Sequence, residues 1–310
     1  MSQIAFLFPG QGSQYAGMGR QLAEAYPAAA ATFRDADQAL GFSLSRLCFE
    51  GPEAELQRTA NTQPAVLAVD VAVARVLAEQ GVRPDFVAGH SLGEYAALVT
   101  AGGMDFKDAI RTVRRRGELM QSAVPEGQGA MAAMLGLDAA VVAALCAEAA
   151  QGQVCSPANF NAPGQTVIAG DAAAVARAIA LAEARQGRAV PLPVSAPFHC
   201  ALMLPAAETL EGDLWNTFFC ELEIPLVTNV DAEPIEGAEE ARDALIRQVA
   251  SPVQWEKAMR WLLARGVDTF IEAGPGRVLS GLLKRLDRGK TVFSAESPES
   301  IQAVLAARAQ

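Results

Sequence analysis

The chain has 310 residues, of which 51% are hydrophobic and only 19% charged, with a formal net charge of −10. Disordered, collagenous and low-complexity classes are excluded, because a chain of this length and apolarity can bury roughly 70–75% of its extended surface without staples. The acidic balance also argues against nucleic acid as a partner, since phosphate binding demands clustered Lys and Arg.

In chain order, Ile4-Ala5-Phe6-Leu7-Phe8 is a short apolar run stopped by Pro9-Gly10, as a buried strand would be. Helical spacing over Met18 to Phe33 follows a glycine-dense loop, and Gln63 to Gln80 reads as a second helix with Pro64 at its start and Gly81 beyond its end. Asp85-Phe86-Val87-Ala88 predicts a strand and Glu94 to Ala101 a helix closed by Gly102-Gly103. Alternation of this kind predicts an α/β fold with a mainly parallel sheet. The middle reads differently. Ala130–Met134, Val154–Phe160, Thr166–Ala169 and Ala189–Leu192 predict four strands, with helices capped by Asp138 and Asp171 between them. That β-α-β-β-α-β order is the ferredoxin-like arrangement. The expected division is a hydrolase-like large subdomain over 1–125 and 197–310, with an inserted ferredoxin-like subdomain over 126–196. Beyond the insert, Thr269-Phe270-Ile271-Glu272 before Gly274-Pro275-Gly276 is the clearest strand-to-turn signal.

Cys48, Cys146, Cys155, Cys200 and Cys220 are odd in number and lack a CxxC pair, so neither disulfides nor zinc are expected and a reducing compartment is the default. No basic, apolar leader opens the chain, and no apolar run approaches about 18 residues. The expectation is a soluble cytoplasmic protein with no membrane partner.

The strongest chemical signal is Gly89-His90-Ser91-Leu92-Gly93, between a predicted strand and a predicted helix. This is the context of a nucleophile elbow, in which side chains at 89 and 93 would collide with backbone. A helix N-terminus behind Ser91 would offer N–H groups to a developing oxyanion. Serine needs a base, and the chain has two histidines. His90 adjoins the nucleophile and projects elsewhere, which suits a structural role. His199, at the end of Ser195-Ala196-Pro197-Phe198-His199, becomes the general base by elimination. No carboxylate announces itself as the orienter of His199; Glu208, Glu211 and Asp213 read as a solvated helix face, and a backbone carbonyl could serve instead.

Five motifs then stand in one order: Phe8-Pro9-Gly10-Gln11-Gly12-Ser13-Gln14, Gly89 to Glu94, Arg116-Gly117, the loop ending at His199, and Pro252-Val253-Gln254-Trp255. Together they resemble the malonyl-CoA:acyl carrier protein transacylases of bacterial type II fatty acid synthesis, over essentially the whole chain. The resemblance implies ping-pong transfer through Ser91 and His199, with the Gln248 main-chain carbonyl orienting the histidine. It further implies an oxyanion hole from the Gln11 and Leu92 N–H groups. Malonyl-CoA is the implied substrate, acyl carrier protein the implied partner, no cofactor is tightly bound, and the state is a monomer. Arg116 would grip the free malonyl carboxylate, while Arg114 and Arg115 are expected to be solvated. Phe198 resembles the bulky residue of malonyl-selective polyketide acyltransferases, which leaves a trans-acting polyketide role open. Asn159, Asn161 and Gln165 match positions near the coenzyme A or pantetheine arm, with loop capping as the bland reading. A serine hydrolase or thioesterase on the same scaffold is an alternative, which would have no use for Arg116. A non-catalytic docking protein is another, against which Ser91 and His199 speak. Because the carrier is acidic, a local basic patch from Arg188, Lys284, Arg285, Arg288 and Lys290 is expected to receive it.

Overall fold

The opening apolar run forms β1 (Gln3–Phe8), buried from Ile4 onward, in a computed structural model that describes residues 3–194 and 196–308. Met1, Ser2, Ser195, Ala309 and Gln310 lie outside the described residues, Ser195 being the first residue of the loop singled out above. β2 (Phe86–Gly89) pairs parallel with β1. The inserted strands are β3 (Gly129–Leu135), β4 (Cys155–Ala162), β5 (Gln165–Asp171) and β6 (Arg188–Pro191). The chain then returns with β7 (Leu226–Val227), β8 (Pro234–Ile235), β9 (Val267–Ala273) and β10 (Thr291–Ala295).

The fold is mixed α/β with two sheets. A six-stranded sheet has the order β10-β9-β1-β2-β7-β8 and is parallel except for the β7–β8 pair. β1 sits mid-sheet with helices on both faces, which is why it reads as an unbroken apolar run and not as an alternating one. The second sheet is antiparallel, with the order β4-β5-β3-β6, and it has its own small core of Ala132, Met134, Val142, Leu145, Ile168 and Val175. Its β4 edge is tied to the rest of the molecule, because Phe160 N–H donates to the Val253 carbonyl at 2.9 Å and Val253 N–H to Ala158 at 2.9 Å.

Several local expectations are corrected. Met18 to Phe33 is not one helix but two, Arg20–Ala25 and Pro27–Leu40. Pro27 disfavours helical backbone at Tyr26, which is extended with φ −127° and ψ 121°. The long helix runs Thr59–Glu79, so Pro64 lies inside it and not at its start. Proline lacks the N–H that would bond Ala60, and that carbonyl instead accepts from Arg114 Nη1 at 3.0 Å. Arg114 is therefore only part-solvated, held against the protein: it also bonds Asn61 and Glu118 and lies over the Phe42 ring. Asp138 and Asp171 stand at N-cap positions without capping, and the Asp171 carboxylate accepts from Val154 N–H at 2.7 Å.

Helix Phe106–Ser122 crosses the long helix at Gly117, where a Cβ would stand 2.8 Å from Ala60 Cα and 2.8 Å from the Thr59 carbonyl oxygen. Gly117→Ala should therefore cost about 1–3 kcal/mol through forced separation of the two helices. Urea unfolding checks this as a lowered midpoint at unchanged slope.

Candidate active site

Strands of the parallel sheet deliver four loops to one edge, their carboxyl ends: Pro9-Gly10-Gln11 after β1, His90-Ser91 after β2, Thr228-Asn229 after β7 and Gly274-Pro275 after β9. Close backbone approach shapes the turn at Ser91. A Cβ on Gly89 would fall 1.9 Å from the Gly93 carbonyl carbon, and one on Gly93 would fall 2.2 Å from the Phe8 oxygen. A Cβ on Gly10 would fall 2.5 Å from the His90 oxygen, so the first loop lies against the turn. Ser91 itself has φ 54°, a left-handed conformation costing a non-glycine residue about 1–3 kcal/mol. Asn229 holds it there: its Oδ1 accepts from Ser91 N–H at 2.7 Å, and its Nδ2 donates to the Gly89 carbonyl at 2.6 Å.

Ser91 Oγ lies 2.7 Å from His199 Nε2, although the residues are 108 positions apart. His199 Nδ1 donates to the Gln248 main-chain carbonyl at 2.9 Å. A carbonyl can only accept, so the ring proton sits on Nδ1 and Nε2 keeps a free lone pair toward the serine. Burial pushes His199 down to about 3, and the Arg116 charge lowers it further while the Gln248 carbonyl works the other way. Glu208 and Glu211 are exposed on helix Leu204–Trp215, and Asp213 on the same helix pairs with Arg115 at 3.3 Å.

Arg116 is 1% exposed. Its Nη1 donates to Gln63 Oε1 at 2.8 Å, and its Nη2 donates to Gln248 Oε1 at 2.8 Å and to Ser91 Oγ at 3.1 Å. Among the described residues no carboxylate pairs with it, and its Nε has no partner. Burial lowers its affinity for a proton, with Tyr95 and Glu94 opposing. Phe198 is 8% exposed, directly before His199. Leu92 is the N-cap of helix Gly93–Thr100, so its N–H lies ahead of the helical ladder. Gln11 is fastened from the other side, its Nε2 donating to Thr59 Oγ1 at 3.1 Å.

Asn159, Asn161 and Gln165 come together with Gln11, His90 and Val278 around a groove of about 160 Å³. Asn161 Oδ1 is bonded to His90 Nε2 at 2.9 Å, and the His90 ring packs on Trp255 at 5.4 Å between centroids. His90 thus joins the turn to β4 and is not aimed at Ser91. Of the expected basic patch, Lys284 and Arg285 sit on helix Val278–Leu286, which packs on β4, with Arg288 and Lys290 following it. Arg188 is on β6 at the opposite sheet edge, roughly 14 Å across three strand spacings, so the cluster narrows to four residues.

Sequence reasoning missed Gln63, Asn229 and the function of Glu94 within its own motif. Glu94 carried a faint signal as the one charged residue in a buried apolar helix, and Gln63 a fainter one, since Thr62 and Asp70 are buried polar residues in the same helix. Asn229 carried none. Glu94 is 1% exposed; its Oε2 accepts from Asn229 N–H at 2.9 Å and from Gln248 Nε2 at 3.0 Å, and burial pushes it up to about 7.

Residues 5–296 match the family model for the acyl transferase domain. The chain is 51% identical to the malonyl CoA-acyl carrier protein transacylase of Escherichia coli, over 98% of this chain and 99% of that one. It is 48% identical to the enzyme of the same name from Bacillus subtilis, over 97% and 96%. Among solved structures, it resembles a malonyl-transacylase in complex with a type II PKS acyl-carrier protein, with TM-score 0.97, 48% identity, and coverage of 99% of this chain and 100% of that one. A malonyl CoA-acyl carrier protein transacylase from Coxiella burnetii matches with TM-score 0.97 and 42% identity, over 98% and 97%.

A histidine held neutral leaves a pH signature. Acylation of Ser91 by a neutral ester such as p-nitrophenyl acetate should stay level from about pH 8 to about pH 5, and not halve near the ordinary histidine value. A stopped-flow pH profile checks this, and Arg116→Met should move the inflection upward by removing the second cause of the depression.

Proposed function

The chain belongs to the acyl transferase family, and on that footing we infer that it moves malonyl groups from malonyl-CoA to the thiol of an acyl carrier protein, the malonyl-supplying step of fatty acid biosynthesis. In this reading Ser91 Oγ attacks the thioester carbonyl while His199 Nε2 takes its proton. The tetrahedral oxyanion is received by the Gln11 and Leu92 N–H groups, and loss of one such donor costs on the order of 10²–10³ in rate. Coenzyme A leaves with the proton from His199. The carrier thiol then attacks the malonyl-serine ester, His199 takes the thiol proton, and the proton returns to Ser91 Oγ as the new thioester departs. Arg116 donates only, so the serine hydroxyl must point its own proton away from it, toward His199.

What carries this reading is a buried guanidinium, without a carboxylate partner among the described residues, 3.1 Å from the serine oxygen. A hydrolase of neutral acyl chains has no use for it; a transferase of an acyl group ending in a carboxylate does. Desolvated and bidentate, such a pair is worth roughly 2–5 kcal/mol, against at most about 1 kcal/mol when exposed. Phe198 crowds the acyl α-carbon, and the groove at Asn159, Asn161 and Gln165 receives the pantetheine arm. The cluster of Lys284, Arg285, Arg288 and Lys290 docks the acidic carrier. Five free thiols suit the cytoplasm as its location. We also assign the antiparallel sheet to a ferredoxin-like subdomain over 126–196, inserted in a hydrolase-like body over 1–125 and 197–310. Its separate small core and its β4-β5-β3-β6 order support that division.

Intact-mass spectrometry after mixing with malonyl-CoA should show one malonyl adduct, absent in Ser91→Ala; rapid loss of the adduct without carrier protein would favour a hydrolase. Arg116→Ala should lower malonyl kcat/KM by tens to thousands of fold and shift preference toward acetyl. An equal loss for both substrates would make Arg116 structural. Reversing Lys284 and Arg285 to Glu should raise the carrier's KM at low salt and leave that of malonyl-CoA unchanged.

A further inference from the structure

Gln248 meets the site twice. Its main-chain carbonyl holds His199, while its side-chain amide bridges Arg116 and Glu94. The amide is not free to turn over. An ionised carboxylate only accepts and a guanidinium only donates, so the NH₂ end must face Glu94 and Oε1 must face Arg116. The same NH₂ group donates to the Ser91 carbonyl at 3.0 Å, which uses both of its hydrogens. Glu94 is in turn immobilised by Asn229 N–H at 2.9 Å on the helix that begins two residues after Ser91. Guanidinium, amide and carboxylate thus form one chain in which each group donates to the next, the arrangement in which buried hydrogen bonds strengthen one another.

We propose that Glu94 is a positioning residue for acyl selectivity: acting through the Gln248 amide, it aims Arg116 at the free carboxylate of the incoming acyl group and supplies the nearest buried countercharge while the site is empty. The proposal rests on the reading of Arg116 as the group that binds that carboxylate. Glu94 does not touch substrate in this account. Its removal should be felt in how well the carboxylate is held and hardly in how fast Ser91 reacts.

The test is Glu94→Gln, which keeps the side-chain volume and one oxygen to accept from both Asn229 N–H and Gln248 Nε2, as Oε2 does now, but removes the charge that faces Arg116 through the relay. Steady-state kinetics at about pH 8, where a carboxyl of this kind is ionised, compare malonyl-CoA with acetyl-CoA. The malonyl KM should rise about five- to tenfold, with acetyl kcat/KM changed less than about twofold. Proportional loss on both substrates would reduce Glu94 to a prop of the turn and overturn the proposal, as would an unchanged malonyl KM. If thermal melting shows Glu94→Gln unfolded, the comparison moves to Gln248→Met. That variant keeps the main-chain carbonyl for His199 and removes the relay together with the amide's bond to the Ser91 carbonyl, a loss that both substrates share, so malonyl transfer should fall at least about fivefold more than acetyl transfer. Equal falls there would also overturn the proposal. Arg116→Ala run alongside separates the two readings. If it discriminates between the substrates while the Glu94 and Gln248 variants do not, only the relay is wrong. If it fails to discriminate, the carboxylate reading itself is wrong.

Discussion

A guanidinium withdrawn from water must be surrounded by acceptors, and the active-site chain segments are arranged to supply them to Arg116. Gln63 comes from the long helix, Gln248 from helix Ala238–Gln248, and the Ser91 oxygen from the turn after β2. All three are neutral. A buried charge paired only with neutral dipoles is incompletely compensated, which makes it a receptor for an anion of the right size. That same charge adds to burial in keeping the His199 ring neutral, so in the proposed reading the group that selects the acyl chain also keeps the base ready.

The backbone makes the rest possible. Glycines at 10, 89 and 93 let three chain segments approach within distances that any side chain would prevent, and this brings the Gly10-Gln11 loop against the Ser91 turn. Strain at Ser91, and at His199 with φ 59°, is absorbed by hydrogen bonds whose partners come from the loop after β7 and from helix Ala238–Gln248. The antiparallel sheet is locked to this assembly twice, by the exchange between β4 and Val253 and by the Asn161–His90 bond. The groove proposed for the pantetheine arm is thereby lined from both sides, by Asn159, Asn161 and Gln165 on one and by Gln11 and His90 on the other.

Local chemistry left most of the fold legible. Short apolar runs ending at glycine or proline marked β1, β2 and β9, and the alternation through 126–196 marked the four antiparallel strands. Several misreadings share one cause. Pro64, Arg114 and Asp171 each have a local preference that a partner distant in sequence overrides, as when Arg114 takes the carbonyl that Pro64 leaves free. Propensity is a weak prior against such a bond.

The candidate site divides in the same way. Ser91 between its glycines, the scarcity of histidine and the motif order were properties of the chain itself, and with them came the acyl transferase family. Gln63, Asn229 and the bond between the Gln248 amide and Arg116 were decided only by the folded structure. An amide carries no charge and has no motif; its contribution depends on which way it points, and that is set by a carboxylate and a guanidinium that meet only when three helices pack around one turn.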